Sequence, residues 1–126
     1  MAAIIIQVGE EEFKAELTEE SAPETVRLIL DALPIESTAR QWGDEIYFDI
    51  PVHADEENAR QRVSKGDLAY WPAGSCFCMF YGRTPMSPSD EEIVPASPVN
   101  PVGRMHGWEA LRSHAAGEKV VIRRDD

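Results

Sequence analysis

Residues 68–85, LAYWPAGSCFCMFYGRTP, gather two cysteines, five aromatic side chains, an arginine and two prolines. Three kinds of chemistry draw on such a set: metal or redox work at Cys76 and Cys78, apolar-ligand binding by the aromatics, and polarisation of an amide by Arg83. Thiol chemistry has the least support. Residues two apart on a strand point the same way with Cα atoms about 7 Å apart, which strains a disulfide. A zinc ion wants about four ligands, whereas His53, His106 and His114 are scattered and there is no third cysteine. Cys76 and Cys78 therefore read as small apolar side chains filling a barrel interior, with a reactive thiol as the remaining option.

The aromatics carry more. In EIYFDI, Ile46, Phe48 and Ile50 share one face of a strand, and Glu45, Tyr47 and Asp49 share the other. Tyr47 thus stands on the side away from the apolar face, and Trp71 falls opposite Leu68 and Tyr70. Trp42, Phe80 and Tyr81 lie near them in sequence, and ordinary packing under a long loop would account for many of these rings. An aromatic patch left on a barrel wall would suit a peptide or an apolar small molecule. Arg40 and Arg83 are the arginines nearest this patch, with Thr84 next to Arg83 where a strand meets a proline-rich loop. Arg40, Tyr47, Trp71, Phe80, Arg83 and Thr84 form the candidate ligand-binding set. No metal site and no cofactor is expected, and no catalytic residue is assigned. There is no nucleophile elbow and no phosphate-cradling glycine loop. Asp55-Glu56-Glu57 and Asp90-Glu91-Glu92 lie in polar runs that read as solvated surface.

Short strands must position these groups. Residues 4–8 and 13–17 suggest an opening hairpin around Gly9-Glu10. In SAPETVRLILDALP, Ser21 with Glu24 three residues on is a capping-box pattern, and Pro23 suits a first helical turn. Val26, Ile29, Leu30 and Leu33 follow helical spacing up to Pro34. A strand, a turn at Gly43-Asp44 and the EIYFDI strand come next. Residues 52–65 fit an exposed helix or an irregular loop equally. Gly66-Asp67 opens a strand through Trp71, and 76–81 run back from the turn at 72–75. Residues 82–101 contain five prolines and read as a long ordered loop. A brief strand at 100–105, a short helix after Gly107 and a closing strand at EKVVIRR complete the chain. Seven or eight short strands with two helices favour a closed or nearly closed β-barrel with helices over its ends.

The 126 residues suffice for one domain, 1–126, with 43% hydrophobic and 28% charged residues. Against 12 basic residues stand 23 acidic ones, for a net charge of −11. Nucleic acid would be repelled, since binding it needs a basic face that releases counterions. An anionic membrane surface is disfavoured on the same ground. The apolar run near the N-terminus is too short for a signal-peptide core or a membrane span, so a cytoplasmic location is expected.

Two segments resemble landmarks of the cyclophilins: APETVRLILDAL, through Ala22, Pro23, Thr25, Val26 and Leu33, and VGRMHGWEALRSHAAGEKVVI, through Gly103, Arg104, Gly107 and Leu111. WGDEIYF, GDLAYWPAG and FYGRTPMS further resemble the small prokaryotic cyclophilin-like proteins of unknown function, across nearly the whole chain. The resemblance implies a mainly β fold, a closed eight-stranded barrel capped by two short α-helices. Cyclophilins isomerise prolyl bonds through a Phe-His-Arg stretch upstream of Gln-Gly-Gly-Asp. Only Gly66-Asp67 matches here, EIYFDI has no arginine, and Lys65 stands where a glycine would be. The expectation is therefore a binding domain without catalysis. The alternatives are a divergent prolyl isomerase, with Arg40 or Arg83 donating to the prolyl nitrogen as its resonance is lost, and a partner subunit of a larger enzyme.

Overall fold

The structure is a computed structural model and describes residues 2–126. Its elements are β1 (Ala2–Val8), β2 (Glu11–Leu17), α1 (Pro23–Ala32), β3 (Ile35–Thr38), β4 (Arg40–Gln41), β5 (Glu45–Asp49), β6 (Asp67–Trp71), β7 (Cys76–Phe80), β8 (Asn100–Met105), a 3₁₀ helix (Trp108–Ser113) and β9 (Lys119–Arg124). One nine-stranded sheet runs β3-β9-β1-β2-β8-β6-β7-β5-β4, with every pairing antiparallel. Its two ends, β3 and β4, are separated in the chain by Ala39 alone. The sheet thus curls into a nearly closed barrel, and β3 and β4 act as one bent wall, which reconciles nine strands with an eight-stranded expectation. Among the described residues no helix is long and apolar enough to cross a membrane.

Alternation decides what lies inside. Ile4, Ile6 and Val8 of β1, Phe13, Ala15 and Leu17 of β2, Ile46 and Phe48 of β5, Leu68 and Tyr70 of β6, and Phe77 and Met79 of β7 form one buried cluster. Phe48 and Phe77 stack at 5.4 Å between centroids. The hydroxyl of Tyr70, a group costly to bury bare, donates to the Val52 carbonyl at 2.7 Å and accepts from the Ala54 N–H at 3.1 Å. Helix α1 closes the barrel with Thr25, Val26 and Ile29. At Gly103 the backbones of β2 and β8 come so close that a Cβ there would lie 1.9 Å from the Glu16 carbonyl oxygen. Pro101, which has no N–H to give, sits beside a register shift between β6 and β8.

Three local expectations are corrected. The Ser21–Glu24 capping box does not form: the cap residue is Ala22, with no side-chain bond. The Glu57 carboxylate instead accepts from the Glu24 and Thr25 N–H groups and the Thr25 hydroxyl. A partner fixed from outside the helix supplants the local one, which satisfies the same orphan donors. The second helix is a 3₁₀ segment rather than an α-helix, six residues long and entered through Gly107 at φ 70°. Cys76 and Cys78 are buried but not inside the barrel, because Phe77 and Met79 occupy the inward positions of β7. The thiols face outward into a second apolar layer.

That second layer frames the site. Residues 82–99 fold back over the outer face of β5, β6 and β7. Ala69, Cys76, Cys78, Phe80, Ile93 and Val99 make a second buried cluster, with Tyr47, Val63 and Trp71 at its margin. Residues 52–65 are irregular rather than helical, and tie down the loop through bridges Arg60–Val99 and Val63–Ile93.

Candidate functional site

An open pocket of about 200 Å³ lies where this loop meets the barrel wall, lined by Trp42, Glu45, Tyr47, Trp71, Pro95, Ala96 and Val99. Alternation on β5 brings Glu45 and Tyr47 to it, and alternation on β6 brings Trp71. Tyr47 and Trp71 meet edge to face, centroids 6.3 Å apart and planes at 89°, so they form two walls of a corner. The Trp71 indole N–H donates to Ser97 Oγ, which fastens the loop to the barrel. Behind the indole lies Gly74, where a Cβ would approach the ring to 2.5 Å. The glycine of the WPAG turn leaves the tryptophan its place.

Glu45 is the group with unusual chemistry. It is only 6% exposed. Burial pushes its carboxyl up to about 7, and the Cys78 thiol beside it offsets part of that rise. Both thiols move the other way from reactivity. Burial, then the Asp49 carboxylate that the thiol hydrogen-bonds at 3.2 Å, raises Cys76 to about 12. Burial and then Glu45 lift Cys78 well above the usual thiol range. Neither forms a thiolate near neutral pH, and both are unpaired cysteines.

The six sequence-predicted site residues separate into four groups. Tyr47 and Trp71 line the pocket. Arg40 stands at its edge: its guanidinium lies 5.2 Å over the Tyr47 ring and is ion-paired with Asp49. Phe80 is fully buried in the second apolar layer, directly across the ladder from Glu45, and does not line the pocket. Arg83 and Thr84 belong to the loop's own scaffold. Arg83 donates to the Ser87 carbonyl at 3.2 Å and faces Asp90 at 3.8 Å. Thr84 is buried, bonds Ser87 Oγ at 3.1 Å and donates to the Val94 carbonyl.

Sequence reasoning noted Trp42 among the aromatics but left it out of the ligand-binding set, and passed over Glu45, Pro95, Ala96 and Val99 as site residues. Glu45 was within reach, since it shares a strand face with Tyr47. An acidic residue in alternation reads as solvated, however, until the loop that covers it is known. Pro95, Ala96 and Val99 carry no local signal, and only the return of the loop brings them to the barrel.

Comparison with known proteins bears on the fold more than on this pocket. A sequence profile of the cyclophilin-like family matches residues 2–123. The chain belongs to that family. A hypothetical protein from Archaeoglobus fulgidus, solved in solution, is 48% identical to this cyclophilin-like chain and superposes with a TM-score of 0.83. The match covers 98% of this chain and 95% of that one. Among curated proteins none matches. The family membership accounts for the barrel, the plugging helix and the closing strand. It assigns no reaction to the pocket, because one fold hosts many functions.

Proposed function

We propose that this cyclophilin-like domain binds a small molecule, or a single peptide side chain, in the pocket between Trp42, Tyr47, Trp71 and residues 95–99, and holds it without catalysis. The observation that carries the reading is the pocket itself: three aromatic side chains and a mostly apolar loop around one buried carboxyl. Concave, largely apolar sites with few fixed polar groups are where ligands gather. At about 200 Å³ it lies below the roughly 300–1,000 Å³ of drug-sized sites. One ring or a short chain fits, not a folded peptide. The prolyl isomerase reading draws less support, since neither Arg40 nor Arg83 lines the pocket and both have acidic partners.

The test is a titration with small apolar probes followed by amide and indole NMR shifts. Shifts centred on Trp42, Tyr47 and Trp71, and weakened binding in Trp71→Ala, are expected. An Xaa-Pro peptide should isomerise at its uncatalysed rate in the protein's presence. Probes that leave those three residues unmoved would overturn the binding site, and an accelerated rate would overturn the absence of catalysis.

A further inference from the structure

We propose that the ligand of this pocket is a small organic cation, an alkyl- or arylammonium whose charge rests against Glu45 while its apolar body lies among Trp42, Tyr47 and Trp71. The inference deepens the binding reading above and rests on it.

The reasoning begins with which acids have partners. Around the site, Asp44 is held by Arg112 at 3.1 Å, Asp49 is paired with Arg40, and Asp67 with Arg104. Those three are the more exposed acids. Glu45 is the most buried of the four, and among the described residues no basic side chain lies within ion-pair distance of it. Buried carboxylates are ordinarily neutralised by a partner. Glu45 lines the pocket, which has room for a counter-charge.

The walls suit the same occupant. Tryptophan and tyrosine faces attract ammonium groups, and several around one cavity form a cage for them. The covering loop adds no competing charge, because residues 93–99, IVPASPV, contain no titratable side chain. From β7 the groups facing Glu45 are Phe80, directly across the ladder, and the thiols Cys78 and Cys76, both held protonated. From β6 they are Ala69 and Trp71, and from β4 Arg40, whose charge Asp49 already meets. Along its own strand and turn, Asp49 and Asp44 are paired as above. An anion would find no free donor of charge at the pocket. A neutral apolar ligand would leave the carboxyl in need of its proton.

A cation binds the ionised carboxyl, so affinity should rise as pH climbs through about 7 and level off above it. Benzylammonium and its neutral counterpart benzyl alcohol separate the outcomes, by calorimetry and the Trp71 indole shift at pH 6 and pH 8. Benzylammonium should bind about tenfold or more tightly than the alcohol at pH 8, and about tenfold less well at pH 6 than at pH 8. Glu45→Gln should erase both differences. The wild-type pH comparison stands even if that variant does not fold. Equal binding of the two probes overturns the cation assignment and leaves the pocket reading intact. If neither probe moves the Trp71 signal, both fall together. A Gly-Lys-Gly peptide that outbinds benzylammonium overturns assignment to a free small molecule.

Discussion

The carboxylate of Glu57 accepts the backbone N–H of Thr25 at 2.9 Å and its hydroxyl at 2.8 Å, across 32 residues of chain. Asn100 completes the node. Its amide donates to Thr25 Oγ1 at 3.1 Å and to the Asp55 carbonyl at 2.9 Å, and its oxygen accepts the Glu57 N–H at 2.8 Å. One buried asparagine thus joins the plugging helix, the irregular segment 52–65 and β8. Glu57→Ala should lower stability by about 1–2 kcal/mol, the size of a lost helix cap, with Glu57→Gln milder. Urea unfolding measures it, and an unchanged midpoint for the alanine variant would show that the cap contributes nothing.

The same carboxylate ties stability to acid. Burial alone would raise it, but the Thr25 N–H, the Thr25 hydroxyl and the Glu24 N–H outweigh burial and leave it below its ordinary value. A group lowered in the folded state contributes stability above its unfolded value, lost as pH falls through the folded one. Wild type should therefore lose stability faster than Glu57→Gln on acidification below about pH 4.5.

A second linkage runs the opposite way at His114, whose Nδ1 meets Glu118 at 2.8 Å and whose Nε2 meets Glu11 at 2.7 Å. Burial pulls the imidazole down, yet its bonds to Glu11 and Glu118 prevail and hold it above its usual 6.5. Its stabilisation is complete below about pH 6.5 and is lost as pH rises through the folded value. Glu118 is lowered, first by His114, so its share is present above about 4.5 and lost in acid. The clamp is strongest between those limits. His114→Gln should cost about 1 kcal/mol near pH 5.5 and less at pH 9, by thermal unfolding at each pH, the partial exposure of both acids keeping the figure small. A loss that is flat with pH would refute the charged clamp.

Gly103→Ala should be among the more damaging single changes in the barrel. The new Cβ would meet backbone, the Glu16 carbonyl at 1.9 Å, which cannot turn aside as a side chain can. Overpacking of this kind costs about 1–3 kcal/mol. A melting temperature within a degree of wild type would show that β2 and β8 separate freely.

Gly74→Ala acts on the pocket. Its Cβ would press on the Trp71 ring at 2.5 Å, displacing the wall that meets Tyr47. The expected result is a moved Trp71 indole resonance and weaker probe binding, with stability changed less than by Gly103→Ala. An unmoved resonance would mean that Trp71 does not lean on that turn.

Much of the barrel was legible because its rules are local. Isoleucine and phenylalanine in alternation fixed which faces turn inward, and Gly43, Pro34 and Gly107 marked ends and turns. The helix was found from the spacing of Val26 and Ile29, while its cap was misread because Glu57 lies far along the chain. The thiols were expected to be buried, and they are. Their side of the sheet was misassigned, since Phe77 and Met79 between and beyond them claim the interior.

By itself the sequence determined a mainly β chain of short strands, one amphipathic helix, and the outward placement of Tyr47 and Trp71, consequences of side-chain period and short-range turn chemistry. The cyclophilin-like architecture and the plugging role of that helix were implied by the resemblance of its motifs. Tertiary structure alone decided that residues 82–99 return over β5, β6 and β7, that Arg83 and Thr84 serve that loop, and that Pro95 and Val99 line one pocket with Trp42. It also turned Glu45 from a surface acid into a buried carboxyl. The reason is physical: alternation tells which face a residue takes, but whether that face meets water depends on what folds back to cover it.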